Sequence, residues 1–317
     1  MKTGILRRWQ DRIATVDRER YTRYFTESGA SAYRDARGCT GFQLLFRDRE
    51  DETSAVETLS WWVSEGDIAA FTGPDALRAR YFERDAEFLL DRPERVEHFE
   101  VASSTLVVPK AWNNVTLLGQ PGTGSDIVQI MLNVCEVPTV FEDMTGYTED
   151  GLTRSRIIAV NPLGQVPVLL LGDGTVMTET AAIALRLDEL FPAARLAPPN
   201  GSDERDRFLR LLIWIVANIY PTFTYGDEPT RWTADAAGLR TATDSYRQTL
   251  WRWLENETQG PFVLGKHSSA LDVFVLVMRK WRPRNDWFDN YCPKLSHAAD
   301  QYELSVASAS IRKELGK

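Results

Sequence analysis

The segment Asn161 to Pro192 constrains the fold more tightly than any other part of the chain. Two short apolar runs, Val166–Leu171 and Thr175–Thr178, flank Gly172-Asp173-Gly174. Glycine and aspartate tolerate the positive backbone angles of a tight reversal, so the runs read as an antiparallel hairpin. A helix over Glu179–Leu190 follows and stops at Phe191-Pro192, because proline has no N–H to continue the helical ladder.

The residues upstream extend this unit. A strand at Val115–Leu118 leads through a Gly/Pro-rich turn into a helix over Ser125–Glu136, whose Ile127, Ile130, Met131 and Val134 share one face. A strand near Val137–Glu142 and a short helix near Thr153–Ala159 complete a β-α-β-α-β-β-α order, which is thioredoxin-like. Ala193–Ser202, rich in Pro and Gly, reads as a linker. From Asp203 onward the pattern is helical, with apolar stripes such as Leu211, Trp214 and Ile215.

The residues before about Val108 alternate strand and helix signals of their own. A helix over Asp17–Ser28 carries Tyr21, Tyr24, Phe25 and Ser28 at helical spacing and ends at Gly29. Gly41–Arg47 and Glu57–Val63 read as strands, and Ser64 with Asp67 forms a capping box for the next helix. Gly73-Pro74 breaks that helix, a further helical stretch covers Asp75–Leu90, and Val96–Val101 closes the unit as a strand. The order β-α-β-β-α-β is that of a ferredoxin-like sandwich. Pro109–Asn114 is the joint between the two halves.

Composition narrows the function. A formal net charge of −8, with basic residues interleaved among acids as in Arg18-Glu19-Arg20 and Asp48-Arg49-Glu50, argues against nucleic acid as a partner. The histidines, His98, His267 and His297, are isolated, so no zinc-ligand spacing exists and no metal is expected. Cys39, Cys135 and Cys292 form no Cys-x-x-Cys pair and read as reduced thiols rather than a disulfide framework. The N-terminus MKTGILRRWQDR has no apolar stretch after its charges, and the run Leu209–Tyr220 is too short to span a bilayer. These features fit a cytoplasmic protein with no membrane partner.

The stretch NPLGQVPVLLLGDGTVMTETAAIALRLDELFP, Asn161 to Pro192, closely resembles the glutathione-binding half of glutathione transferases. The resemblance implies a cis peptide before Pro167, with the backbone of Val166 pairing glutathione as an added strand. It also implies that Gln165 anchors the peptide and that the Glu179-Thr180 pair takes the γ-glutamyl ammonium and carboxylate groups at a helix start. Glu179-Thr180 is also open to the plainer reading of a helix start alone. LLGQPGTGSDIVQIML resembles the family's first strand-turn-helix, where Tyr, Ser or Cys activates the thiol. Against the cysteine-type pattern Pro-Gly-x-Cys-Ser, this chain has Pro121-Gly122-Thr123-Gly124-Ser125, so Gly124 excludes a mixed disulfide there. Ser125, with Thr123 second, is the catalytic candidate, and Ser125 as the N-cap of its helix is the structural reading that coexists with it. Cys135 lies away from the turn and reads as a small buried hydrophobe.

Leu264-Gly265-Lys266-His267-Ser268-Ser269-Ala270-Leu271-Asp272 resembles the Gly…Ser-x-x-Asp element that starts a core helix in the same family, with Ser269 and Asp272 as a capping box. The resemblance implies an acceptor pocket on the early helices, for which Tyr220, Phe223 and Tyr225 are candidates, with Arg231 and Trp232 nearby; they are equally open to a packing role. Lys280-Trp281-Arg282-Pro283-Arg284 reads as a solvated helix end. Separately, LSWWVSEGDIAAFTG with RVEHFEV, over roughly residues 5–103, resembles the antibiotic-biosynthesis-monooxygenase-like branch of the dimeric αβ-barrel superfamily. His98 and Trp61-Trp62 then either line a barrel cavity or pack the sheet.

The expectation is an α+β multidomain protein: a ferredoxin-like dimeric αβ-barrel domain (1–108), a thioredoxin-like βαβαββα domain (115–195) and an all-α glutathione-transferase C-terminal domain (203–317). Three functions follow from it. The first is a glutathione-dependent transferase acting on a small electrophile, with glutathione as substrate or cosubstrate. The second is a non-catalytic glutathione- or peptide-binding scaffold. The third is a cofactor-independent monooxygenase housed in the barrel. A homodimer is expected under each.

Overall fold

Burial alternates along strand β1, Ile5–Ala14, where Arg7, Trp9, Asp11 and Ile13 are enclosed and their neighbours are not. That two-residue period is what a sheet with one covered face requires. The computed structural model describes residues 4–101 and 110–314. Val108 and Pro109, the end of the barrel resemblance at 103, and the termini 1–3 and 315–317 lie outside the described residues. Two compact units are present, Met1–Val108 with Leu190–Ala193, and Pro109–Glu189 with Ala194–Lys317.

In the first unit, β1 pairs antiparallel with β3 (Thr53–Trp62) and β4 (Glu97–Glu100), and β2 (Cys39–Asp48) pairs with β3, giving the order β2-β3-β1-β4. Helices α1 (Arg18–Glu27), α2 (Gly29–Asp35) and α3 (Glu65–Thr72) contribute to an aromatic core in which Tyr33 stacks between Phe42 and Phe71 at 5.3 and 5.0 Å. Gly29 does not end the helical run but begins α2; a Cβ there would meet the Phe25 ring at 2.6 Å. Trp62 packs in the core against Tyr33 and Phe71, while Trp61 points to the other sheet face and is half-buried. His98 is half-buried with its Nε2 unpaired among the described residues, and burial holds its pKa below the usual value.

The helix expected over Asp75–Leu90 is absent; only a 3-10 turn, Asp85–Glu87, forms there. Aspartates explain the difference. Asp75 accepts the Leu77 N–H at 3.0 Å and Asp85 the Phe82 N–H at 2.7 Å, so local side chains capture the donors a helix would use. Arg78 bridges to Arg95 as an isolated β-contact, which fixes the segment as extended.

The second unit holds a sheet of β5 (Val115–Gly119), β6 (Thr139–Asp143), β7 (Val168–Leu170) and β8 (Val176–Met177) in the order β6-β5-β7-β8. β5 runs parallel to β6 and antiparallel to β7, and the sheet is interleaved with α4 (Gly124–Val134), α5 (Leu152–Ile158) and α6 (Thr180–Leu190). This is the thioredoxin-like order. Leu117 and Leu118 are both fully enclosed, so β5 is covered on its two faces.

The rest of the second unit is helical: α7 (Asp203–Trp214), α8 (Tyr220–Asp227), α9 (Ala236–Glu257), α10 (Ala270–Met278), α11 (Asn285–Tyr291) and α12 (Pro293–Glu314). Every residue of α10 is buried, against α4, α7 and α12. The apolar run Leu209–Tyr220, expected to be too short to span a bilayer, lies inside a longer helical stretch. Residues 203–227 form one stretch of 25 residues, long and apolar enough by length and composition to cross a bilayer. A π turn at Ile215–Ile219 precedes Pro221 at the first turn of α8, where a missing N–H is tolerated. Phe208, Leu211, Leu212, Ile215 and Ile219 along it are enclosed in the protein core.

Candidate functional site

The β5–α4 turn, the Val166-Pro167 segment and the start of α6 lie at one end of the second sheet. Leu118 of β5 pairs with Val168 of β7, and continuing that antiparallel register sets Val166 beside the turn that leaves β5. The Val166-Pro167 peptide is cis, as the resemblance implies. Asn161 organises the approach: its Nδ2 donates to the Gln165 carbonyl at 2.9 Å, and its Oδ1 accepts the Leu163 N–H at 3.2 Å. Gln165 is exposed and Val166 half-buried. Neither backbone group of Val166 is taken up by the sheet or a turn among the described residues.

Glu179 sits just before α6 with φ of 64°, a left-handed conformation that costs a non-glycine residue energy and is often found where chains clamp ligands. Its side chain is exposed, whereas Thr180 is buried. The carbonyl of Glu179 accepts the Ile183 N–H, so α6 begins here and the N–H groups of its first turn point out of its N-terminal end.

At the other helix start the cap is Thr123, not Ser125. The Thr123 hydroxyl accepts the Ser125 N–H at 3.2 Å and donates to the Gln120 carbonyl at 2.6 Å. Ser125 is 0% exposed, and its Oγ accepts the Gln120 N–H at 3.2 Å while lying 3.1 Å from Thr123 Oγ1. The protons can then be placed. Thr123 is the donor of that contact, so Ser125 Oγ accepts from both the Thr123 hydroxyl and the Gln120 N–H. The Thr123 proton is thus used within the turn, and Ser125 is fully enclosed there.

The acceptor candidates divide. Tyr220 and Phe223, one turn apart on α8, share the Trp281 ring at 5.8 and 5.0 Å. Phe223 is also covered by the Arg247 guanidinium at 3.8 Å, so it is chiefly a packing residue. Tyr225 lies on another side of α8, is 43% exposed and pairs with Trp232 at 5.0 Å. Lys280–Arg284 is a turn after α10 rather than a helix end, with Arg282 ion-paired to Asp227 and Asp244. Trp281 went unassigned in the sequence because its partners lie some sixty residues earlier.

A contact without a sequence signature joins the three helix starts. A Cβ built on Gly124 would lie 3.0 Å from Tyr220 Oη and 3.7 Å from Thr180 Oγ1. The Tyr220 oxygen is buried and makes no hydrogen bond among the described residues, with the Thr180 hydroxyl as a polar neighbour that acts on it weakly. Burial raises the phenol pKa above its usual value, and the Thr180 hydroxyl offsets this only in part. Cys135 is buried and its thiol pKa is raised by burial, as a small hydrophobe's would be.

Comparison with known proteins agrees with this arrangement. The family described as glutathione S-transferase, N-terminal domain, matches residues 125–190. The uncharacterized GST-like protein YncG of Escherichia coli K12 is 41% identical over 188 residues, 59% of this chain and 91% of that protein. Among solved structures, a sphingomonad glutathione S-transferase complexed with glutathione aligns with TM-score 0.50 and 26% identity, over 63% of this chain and 98% of that one. A glutathione transferase homologue from Sulfitobacter with bound glutathione aligns with TM-score 0.55 and 22% identity, over 63% and 99%, a likeness of fold. With 41% identity carried across nearly all of a GST-like relative, the chain belongs to the glutathione S-transferase family.

Proposed function

We propose that the protein is a glutathione-dependent transferase acting on a small, apolar or aromatic electrophile. The observation that carries this reading is the unpaired backbone of Val166, set at the sheet end beside the α4 turn and next to a buried threonine at the start of α6. An extended peptide pairs with such a backbone as one more strand. Thr180 and the free N–H groups of α6 suit a carboxylate, the exposed Glu179 suits an ammonium group, and Gln165 borders the same segment. Glutathione, when bound, supplies a thiol that becomes a nucleophile once its proton leaves to water. The N-terminus of α4 favours negative charge at that sulfur, and Tyr220 with Trp281 forms an apolar wall for the acceptor.

The test is calorimetric titration of the full-length protein with reduced glutathione, with thiolate absorbance followed in parallel. Binding with a lowered thiol pKa is expected. Binding without thiolate formation would make the protein a carrier, and no binding at millimolar glutathione would overturn the reading. We further propose that the first unit, with its β2-β3-β1-β4 order, is a ferredoxin-like sandwich that pairs with a second copy. Sedimentation of the full chain as a monomer would refute that pairing.

A further inference from the structure

Tyr220 carries a buried hydroxyl without a hydrogen-bond partner among the described residues. Leaving a buried donor unpaired is costly, so such groups call for a reason. The ring is fixed by edge contacts to Phe274 and Trp281, at 6.3 and 5.8 Å, which hold the oxygen over Gly124. A side chain at Gly124 would crowd it, so the glycine and the phenol fit as a pair. The oxygen stands at the N-terminus of α4, where the helix dipole favours an anion, and beside Thr180 at the start of α6. Of the two hydroxyls of the α4 turn, Thr123 donates within the turn and Ser125 is fully enclosed, accepting from Thr123 and the Gln120 N–H.

We propose that Tyr220 Oη is the hydrogen-bond donor to the sulfur of bound glutathione, so that the thiol-activating group comes from the helical part of the unit rather than from Ser125 or Thr123. This rests on the transferase reading above. A phenol whose pKa is raised by burial keeps its proton at neutral pH, so it donates and does not act as a base. The thiol proton leaves to bulk water, and the O–H bond then stabilises the charge that remains. A hydrogen bond to a charged acceptor corresponds to about a ten- to hundredfold gain in the acid dissociation constant of the thiol.

The experiment compares the full-length protein with Tyr220→Phe. It measures the affinity for glutathione and for S-methylglutathione by calorimetry, and the pKa of the bound thiol by thiolate absorbance against pH. The variant is expected to bind S-methylglutathione within about threefold of the parent, while the bound-thiol pKa rises by about one to two and kcat for an aromatic halide falls about ten- to hundredfold, with KM for glutathione little changed. Gly124→Ala, which displaces the phenol, is expected to shift the thiol pKa in the same direction. If the parent lowers the thiol pKa and Tyr220→Phe lowers it equally, the inference fails while the transferase reading stands. If the parent binds glutathione without lowering its thiol pKa, the inference also fails. If the parent does not bind glutathione, both fall together.

Discussion

The starts of α10 and α4 use the same vocabulary, a hydroxyl cap and an early aspartate, to opposite ends. At α10, Ser269 Oγ accepts the Leu271 N–H, and Asp272 accepts the Ser269 N–H at 2.8 Å, the Ser269 hydroxyl at 3.2 Å and the Val263 N–H at 2.9 Å. Asp272 is 0% exposed, and all of its bonds are internal. At α4 the turn is self-contained too, but Gly124 leaves an opening into which an unpaired phenol projects. A helix start whose polar atoms are all matched serves folding. The start of α4 instead has a buried donor beside it that is unmatched among the described residues.

The largest effect expected from this contrast is at α10. Asp272→Ala orphans two buried N–H groups in the most enclosed helix of the unit and should cost about 2–4 kcal/mol of stability. Urea unfolding monitored by tryptophan fluorescence measures it. A loss below about 1 kcal/mol would break the distinction between the two helix starts.

The same carboxyl gives the next effect a sign. Burial pushes the Asp272 pKa up to about 6 from 3.8, outweighing the hydrogen bonds that pull it down. Between those values the folded chain holds more protons than the unfolded one, so stability from this group is full below about 3.8 and is lost as pH rises through about 6. In that window its contribution to the slope is at most about 1.4 kcal/mol per pH step. Asp272→Asn should remove that component, and unfolding curves at a series of pH values for the two proteins test it. An unchanged difference across the window would show that Asp272 does not titrate there.

The Ser269–Asp272 box was legible because it spans four consecutive residues and obeys a local rule. The GDG hairpin was legible for the same reason, whereas the cis Val166-Pro167 joint was implied only by the family resemblance. Ser125 was harder to assign. A serine near a helix start fits the sequence pattern of a catalytic hydroxyl, but its enclosure follows from the packing of Gly119, where a Cβ would meet Ser125 Cβ at 2.6 Å. Tyr220 over Gly124 could not be read at all, since ninety-six positions and several elements separate the pair. Asp75–Leu90 failed for a further reason. Its periodicity was helical, yet two aspartate side chains took the backbone donors first.

A smaller effect belongs to the α4 cap. Thr123→Ala removes the acceptor for the Ser125 N–H and the donor to Gln120, and should cost about 1 kcal/mol. Because the Thr123 proton stays within the turn, the pKa of bound glutathione should move little in this variant. A thiol shift as large as that of Tyr220→Phe would transfer the activating role to the turn and erase the contrast.

The smallest effect sharpens the contrast most. Tyr220→Phe keeps the ring packed on Phe274 and Trp281 and deletes only an oxygen that has no partner among the described residues. A buried hydroxyl that forms no bond adds desolvation cost to the native state, so its removal should leave stability unchanged or raise it by up to about 1 kcal/mol. Urea unfolding without glutathione measures this. A loss of more than about 1 kcal/mol would mean that the hydroxyl is bound to protein or to an ordered water, making it a structural group like those of Asp272. An unchanged or improved value, combined with a raised thiol pKa in the glutathione complex, separates the two helix starts cleanly: the cost of the unpaired oxygen is borne by the fold, and its benefit appears only when a sulfur anion sits beside Gly124.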